Sequence, residues 1–373
     1  MDKLLLEDLL LKTDMQKDYL ENIKGIISRS TTIYAWGTGR GARKLLQLMK
    51  QINWNGYLCF IDSNKSKVGI SFEGFNTISP SDYFSKYYQQ SDMLLITCAD
   101  VDGVKKTVKE HISEVVPVVC DLTSIDLEEN NSWFDFIWEH ISEFSEAYEL
   151  LQEKKSREIY VGLLNYRISR DQKYIEKFVD DVEFQYFEKK LFNVEGLIIA
   201  DCGAYVGDTI ENYIRITNGN YRKIYTFEPD KAIYLKLINN IQSHKWSNIE
   251  AYNIGNYSKK AQLRFESPGT GTEMSNHLTE NGNVIVDVDS LDNVIKDDIG
   301  LIKMDIEGAE YEALLGCKRL INEYHPVLAI CIYHLRDDYF RLLGLIHELY
   351  SDYKLYIRQY AYNDNETIVY AVP

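Results

Sequence analysis

Apolar and polar positions follow two recurring patterns along this chain, short apolar runs ended by glycine or aspartate and longer stretches with helical periodicity. TTIYAW, from Thr31, predicts a buried strand. GTGRGARKLLQLMKQ predicts a glycine turn entering a helix whose apolar face carries Leu45, Leu46 and Met49. Further strands are expected at GYLCFID, ending on Asp62, at DMLLITCA, ending near Asp100, and at VVPVVCDL. Four strands separated by helical stretches make an open parallel sheet, so residues 31–125 are expected to form one small α/β domain. Ahead of it, Leu5, Leu6, Leu9, Leu10 and Ile23 predict an amphipathic helix within residues 1–30, lying on a neighbouring domain or on a second subunit of a homo-oligomer.

From Asp126 to Glu188 the chain is charged and helical, with long apolar periodicity through NSWFDFIWEHISEFSEAYELLQEKKSREIYVGLLNYRIS. This segment, 126–188, is expected to be a helical connector, part linker and part lid. A second α/β series then fills 196–373: GLIIADCGAYVGDTIENYI, KIYTFEPD, NIEAYNIGNYS, LIKMDIEGAEYEALLG, PVLAICIYH, YKLYIRQYAY and TIVYAVP. Only the short polar turn NDNE separates the last two, which predicts an antiparallel hairpin on an otherwise parallel sheet.

Composition narrows the function. A length of 373 residues favours two domains. The net charge of −16 repels phosphate backbones, which disfavours nucleic acid as a partner. Six scattered cysteines without a CxxC pair point to a reducing, cytoplasmic setting. The leucines of MDKLLLEDLLLKTD are interrupted by Asp2, Lys3, Glu7, Asp8 and Lys12, unlike a signal peptide, and no later run reaches the ~18 apolar residues of a membrane span.

The densest chemical signals lie in the second series. Gly203 and Gly207 follow a strand, at the sheet edge where open α/β folds bind ligands, and glycine lets a ligand approach the backbone. Their spacing departs from the dinucleotide fingerprint, and the flanking Asp201 and Asp208 oppose a pyrophosphate but suit a cationic ligand, which favours S-adenosylmethionine over NAD. Glu228 ends the next strand 25 residues after Gly203, where a carboxylate accepts both hydroxyls of a ribose; the plainer reading is a helix N-terminal charge before Pro229. LIKMDIEGAEYEALLG ends its strand at Asp305 and carries Glu307, Gly308 and Glu310 in the next turn. His334 ends PVLAICIYH at the same sheet edge, as a general base or a metal ligand, with Asp305 and Glu307 able to join it around Mg²⁺. The remaining histidines, His111, His140, His244, His277, His325 and His347, read as surface or core residues.

The ordered set DCGAYVGDT, FEPD, NIGNYS, DVDSLD, KMDIEGAEYEALLG and ETIVYAVP resembles the FkbM-type family of S-adenosylmethionine-dependent methyltransferases over roughly 185–373. The resemblance implies a class I methyltransferase domain at 189–373 with a Rossmann-like seven-stranded sheet. It implies Asp201, Gly203, Ala204 and Gly207, with Asp208 beside them, around the methionine portion of the cofactor. It places Glu228 on the ribose and the Asn253–Gly255 turn near the adenine. It further implies methyl transfer to oxygen on a sugar or on a glycosylated or polyketide product. Tyr205 departs from the pattern, which has a smaller polar residue such as Asn in many members.

In the first domain, Gly37-Thr38-Gly39-Arg40-Gly41-Ala42 satisfies G-x-G-x-x-A after a strand, and Asp62 follows Gly37 by 25 residues. WGTGRGARKLLQLMK with FIDSNKSKVGISFEGFNTISPSDY resembles the Rossmann-like nucleotide-sugar-binding domain found ahead of bacterial sugar acyltransferases, with Arg40, Arg43 and Lys65 as local positive charge. A scaffold that has lost its ligand is the alternative. The favoured reading is an O-methyltransferase acting on a saccharide, with Asp305 or His334 as base. Its rivals are an NAD-dependent nucleotide-sugar-modifying enzyme and a non-catalytic nucleotide or S-adenosylmethionine sensor. The first is weakened because YFEKK and YSDYK, the Tyr-x-x-x-Lys spacings, fall outside 31–125.

Overall fold

The computed structural model describes residues 5–98, 100–112, 114–120, 122, 132–266, 277–278 and 284–373. Two compact units emerge from the packing, one drawn from residues 1–10, 140–164 and 173–373, the other from 11–139 and 165–172. This division differs from the segments 1–30, 31–125, 126–188 and 189–373, because both the N-terminal segment and the connector are shared between units. The N-terminal segment is two helices, Leu6–Leu9 and Met15–Arg29, since the extended Asp14 caps the second by accepting from Gln16 N–H. The described connector holds three helices, Trp133–Glu139, Ile141–Leu150 and Lys154–Ser169, followed by short 3₁₀ turns to Phe184. Its start at 126–131 lies outside the described residues.

The smaller unit holds β1 (Thr32–Trp36), β2 (Tyr57–Ile61), β3 (Thr77–Ile78), β4 (Met93–Ile96) and β5 (Val118–Val119), all parallel, in the order β3-β2-β1-β4-β5. Five strands stand where four were expected, because β3 is two residues long and has no apolar run to show. Ile33 and Ala35 pack on one face with Leu45, Leu48 and Met49 of the helix Arg40–Gln51 and with Ile23 and Ile27, while Tyr34 and Trp36 pack on the other with Tyr83 and Val104. Burial of both faces explains why β1 reads as an unbroken apolar run.

The larger unit contains β6 (Ile198–Cys202), β7 (Lys223–Phe227), β8 (Ile249–Tyr252), β9 (Gly255–Asn256), β10 (Ala261–Glu266), β11 (His277–Leu278), β12 (Val284–Asp289), β13 (Leu301–Met304), β14 (Val327–Cys331), β15 (Lys354–Gln359) and β16 (Thr367–Val372). Its main sheet has seven strands in the order β15-β16-β14-β13-β6-β7-β8. Only β16 runs antiparallel to its neighbours, as the hairpin pattern predicted. The chain winds from β6 towards β8 on one side and from β13 towards β14 on the other, so a crevice opens beyond the carboxyl ends of β6 and β13.

A second sheet, β11-β10-β12-β9, was not expected. NIEAYNIGNYS is not one strand but splits into β8 and β9, because Asn253 Nδ2 donates to Glu228 O (2.9 Å) and Pro229 O (3.1 Å) and turns the chain out of the first sheet. The later connector is tied to the hairpin edge: Asp180 N–H donates to Gln359 O at 2.8 Å, and Lys155 pairs with Asp180 at 2.7 Å. Among the described residues no helix is long and apolar enough to cross a membrane.

Candidate active site

A cavity of about 370 Å³ fills the crevice of the larger unit. One wall is the turn after β6. Gly203 has a φ of +76°, and any Cβ there would overlap the Asp305 carbonyl oxygen, so glycine is required. Gly207, at φ +94°, leads into the helix Asp208–Ile216 and packs closely on Leu237 and Trp246. Between them Tyr205 is also left-handed, at φ +47°.

Glu228, beyond β7, is 6% exposed and faces the cavity. Its Oε2 accepts from Tyr205 N–H (3.1 Å) and its Oε1 from Asp230 N–H (2.8 Å). Burial pushes its carboxyl up to about 7, although both hydrogen bonds oppose the shift. The second sheet contributes Gly255, Asn256, Val286 and Val288 to the lining. Asn256 is 4% exposed, and among the described residues neither its Nδ2 nor its Oδ1 has a hydrogen-bond partner. A buried amide left open on both sides is costly unless a ligand completes it.

At the β13 end, buried Lys303 pairs with Asp201 at 3.0 Å and donates to Gly203 O at 2.8 Å. Burial opposes the Lys303 charge, but Asp201 and Asp305 outweigh it and hold the ammonium above the usual lysine range. Asp305 accepts from Tyr186 Oη–H (2.9 Å) and Tyr333 Oη–H (3.3 Å) and lies 3.3 Å from His334 Nε2. Burial works against its ionisation, yet His334, Lys303 and Tyr186 together hold it well below the usual carboxylate range. His334 Nδ1 is 3.0 Å from Glu310, and its Nε2 is 3.6 Å from Glu307. Burial would lower its pKa, but Glu310 and Asp305 raise it well above the ordinary histidine value. The His334 ring stands between Asp305 at 3.3 Å and Glu310 at 3.0 Å, so the side chain expected as a base or metal ligand is held among carboxylates.

Glu366, just before β16, also lines the cavity, with Oε2 accepting from Gln185 Nε2–H. Burial, then repulsion from Asp305, raises its carboxyl above the usual value. Tyr186, Tyr205, Glu307 and Glu366 all line this cavity and all have positive φ (67°, 47°, 58° and 56°). Such strain in residues other than glycine or asparagine collects at functional sites.

Of the residues singled out from sequence, Gly203, Asp208, Glu228, Gly255, Asp305 and Glu307 line the cavity. The others do not: Asp201 holds Lys303, Ala204 is fully buried, Gly207 makes the close helix approach, Asn253 fixes the β8 turn, and His334 stands behind Asp305. Sequence reasoning missed Gln185, Tyr186, Asn256, Lys303, Tyr333 and Glu366. Lys303 had a signal, since it sits two positions before Asp305 and a strand repeats its facing every second residue. Glu366 opens ETIVYAVP but was given no role.

For a metal, Asp305, Glu310 and His334 bring ligand atoms within 4.8 Å of one another, with Glu310 in the place expected of Glu307. The set does not fit Mg²⁺. Glu310 already accepts from Ile306 N–H and Gly308 N–H, both at 2.9 Å, and an imidazole nitrogen is a poor ligand for Mg²⁺, which prefers carboxylate and water oxygens.

In the smaller unit, Gly37 has φ +114°, and a Cβ there would stand 2.7 Å from Cys98 Cβ. Gly39 caps the helix Arg40–Gln51 with open space above it, Arg40 and Lys65 are exposed, and Ala42 is buried in the core. Arg43 pairs with Glu73 at 3.2 Å. Asp62, just after β2, accepts from Thr38 Oγ1–H at its Oδ2 and from Asn64 N–H at its Oδ1, and lies 3.6 Å from Lys67.

Residues 201–363 match the family model described as the methyltransferase FkbM domain. The crystal structure of the methyltransferase FkbM from Methylobacillus flagellatus KT is similar in fold, with a TM-score of 0.66 and 22% identity, covering 94% of this chain and 93% of that one. An rRNA methylase from Streptococcus thermophilus matches with a TM-score of 0.32 and 17% identity, over 49% of this chain and 89% of that one. Fibrillarin from Aeropyrum pernix, in complex with natively bound S-adenosyl-L-methionine, matches with a TM-score of 0.32 and 11% identity, over 48% and 69%. No curated protein gives a significant match.

Proposed function

We propose that this chain, whose residues 201–363 match the methyltransferase FkbM domain, uses S-adenosylmethionine to methylate a hydroxyl oxygen on a saccharide or glycosylated acceptor. What supports the reading is one cavity lined both by Glu228 and Asn256 and by Asp305 and Glu366. The open Asn256 amide offers both a donor and an acceptor, which suits an adenine edge, and the Glu228 carboxylate suits the two ribose hydroxyls. When bound, S-adenosylmethionine supplies an electrophilic methyl on a sulfonium that is itself the leaving group.

The chain's part is to align the acceptor and take its proton. Asp305, ionised and already accepting from two tyrosines, is a weak base that orients rather than deprotonates. Glu366 suits the base role better, because its Oε1 is not engaged in a hydrogen bond among the described residues and its proton affinity is raised. Polyhydroxyl acceptors suit a pocket end built from carboxylates, an amide and tyrosine hydroxyls. In the smaller unit, the Gly37–Gly39 turn at the switch between β1 and β4 suits the phosphates of a nucleotide-sugar.

Titration calorimetry with S-adenosylmethionine and S-adenosylhomocysteine, followed by tritiated methyl transfer to a panel of free and nucleotide-linked sugars, tests the reading. Saturable binding of both, with label in an alkali-stable methyl ether, is expected. Binding of NAD in their place would overturn it.

A further inference from the structure

The turn after β6 has three left-handed residues in five, Gly203, Tyr205 and Gly207. Space explains the glycines, as shown by what a Cβ would meet at each. It does not explain Tyr205, where a side chain is tolerated but asparagine or glycine would hold the same backbone with less strain. The backbone there cannot relax by itself, because Tyr205 N–H donates to Glu228 Oε2 and Ala204 N–H to Phe227 O. The ring is not enclosed by the fold in return. It is 39% exposed at the cavity, and among the described residues its hydroxyl has no hydrogen bond and its ring no aromatic partner. A strained position bearing a large, half-exposed and unpartnered ring beside the ribose carboxylate has its compensation in something absent from the free protein.

We propose that Tyr205 is a cofactor-binding residue of this chain, its ring forming an apolar cover over the bound S-adenosyl group and slowing release. This rests on the S-adenosylmethionine reading above. The contact is ring against ligand, so the hydroxyl is dispensable and the sulfonium charge is not required.

The test compares wild type with Tyr205→Phe, Tyr205→Asn and Tyr205→Gly, using calorimetry and surface plasmon resonance with S-adenosylmethionine and S-adenosylhomocysteine, and thermal melting without ligand. Tyr205→Phe should bind both ligands within about twofold of wild type. Tyr205→Gly and Tyr205→Asn should weaken both by at least about tenfold, mainly through faster dissociation. Their melting midpoints should equal or exceed that of wild type, because the left-handed backbone suits both residues. Wild-type affinity in Tyr205→Gly would overturn the proposal, as would a Phe variant as weak as the Gly variant. Failure of the wild type itself to bind either ligand would instead overturn the methyltransferase reading.

Discussion

Glu228 sets a pH dependence at the scale of one residue. An unfolded glutamate titrates at 4.5, whereas burial holds this one at about 7, so the folded protein binds the extra proton between those values and loses stability as pH rises through them. A ribose that donates two hydroxyl hydrogens needs the ionised form. Affinity for S-adenosylmethionine should therefore fall by about tenfold per pH unit below 7, with close to one proton released on binding well below that pH. Calorimetry in buffers of different ionisation enthalpy reads both effects, and Glu228→Gln should bind weakly at every pH with no proton release. Proton transfer in turnover belongs to a different carboxylate. Glu366→Gln should lower turnover by ~10²–10⁴ while leaving cofactor affinity within about twofold, whereas His334→Gln should cost less because His334 stands behind Asp305 and does not line the cavity. Rates of S-adenosylhomocysteine release, measured with the best acceptor of the sugar panel, decide between these two side chains.

At the scale of elements, the close approach of the β6 and β13 ends builds the crevice. Gly203→Ala forces a Cβ into the Asp305 carbonyl from a left-handed backbone, and should cost about 2–4 kcal/mol of stability, seen as a shifted denaturant midpoint. A variant as stable as wild type would mean that the two strand ends lie further apart than described. The parallel strands were legible in the sequence because burial on both faces makes β1 and β14 apolar runs and leaves β6 and β13 apolar apart from Asp201 and Lys303, which pair with each other. The second sheet was not, since β9 and β11 have two residues each, although the alternation of VIVDVD in β12 was a strand signal left unused. That hidden sheet carries Asn256, Val286 and Val288, so part of the site went unread with it. Tyr186 was lost for another reason. Its neighbourhood has the helical periodicity of a connector, and only folding of that segment against β15 and β16 brings its hydroxyl to Asp305.

On the scale of the whole molecule, two α/β units each place a glycine turn after a strand, yet their chemistry differs. The larger unit lines its turn with carboxylates, which suits a sulfonium, while the smaller unit caps its helix with Gly39 and exposes Arg40 beside it. The backbone N–H groups of the turn suit phosphate, while Asp62 already accepts from Thr38 and Asn64 and lies 3.6 Å from Lys67. Gly39→Asp separates this role from folding. Its φ of −112° suits any residue, a Cβ there meets nothing within 4 Å, and aspartate is a better helix N-cap than glycine, so the unit should melt no lower than wild type. The new carboxylate nevertheless stands where a phosphate would, and should remove the thermal shift that wild type shows with nucleotide-sugars. Affinity for S-adenosylmethionine should stay within about twofold, because the two ligands occupy different units. A wild-type protein that no nucleotide-sugar shifts would make the smaller unit a scaffold, and a shift by NAD alone would point to hydride chemistry there.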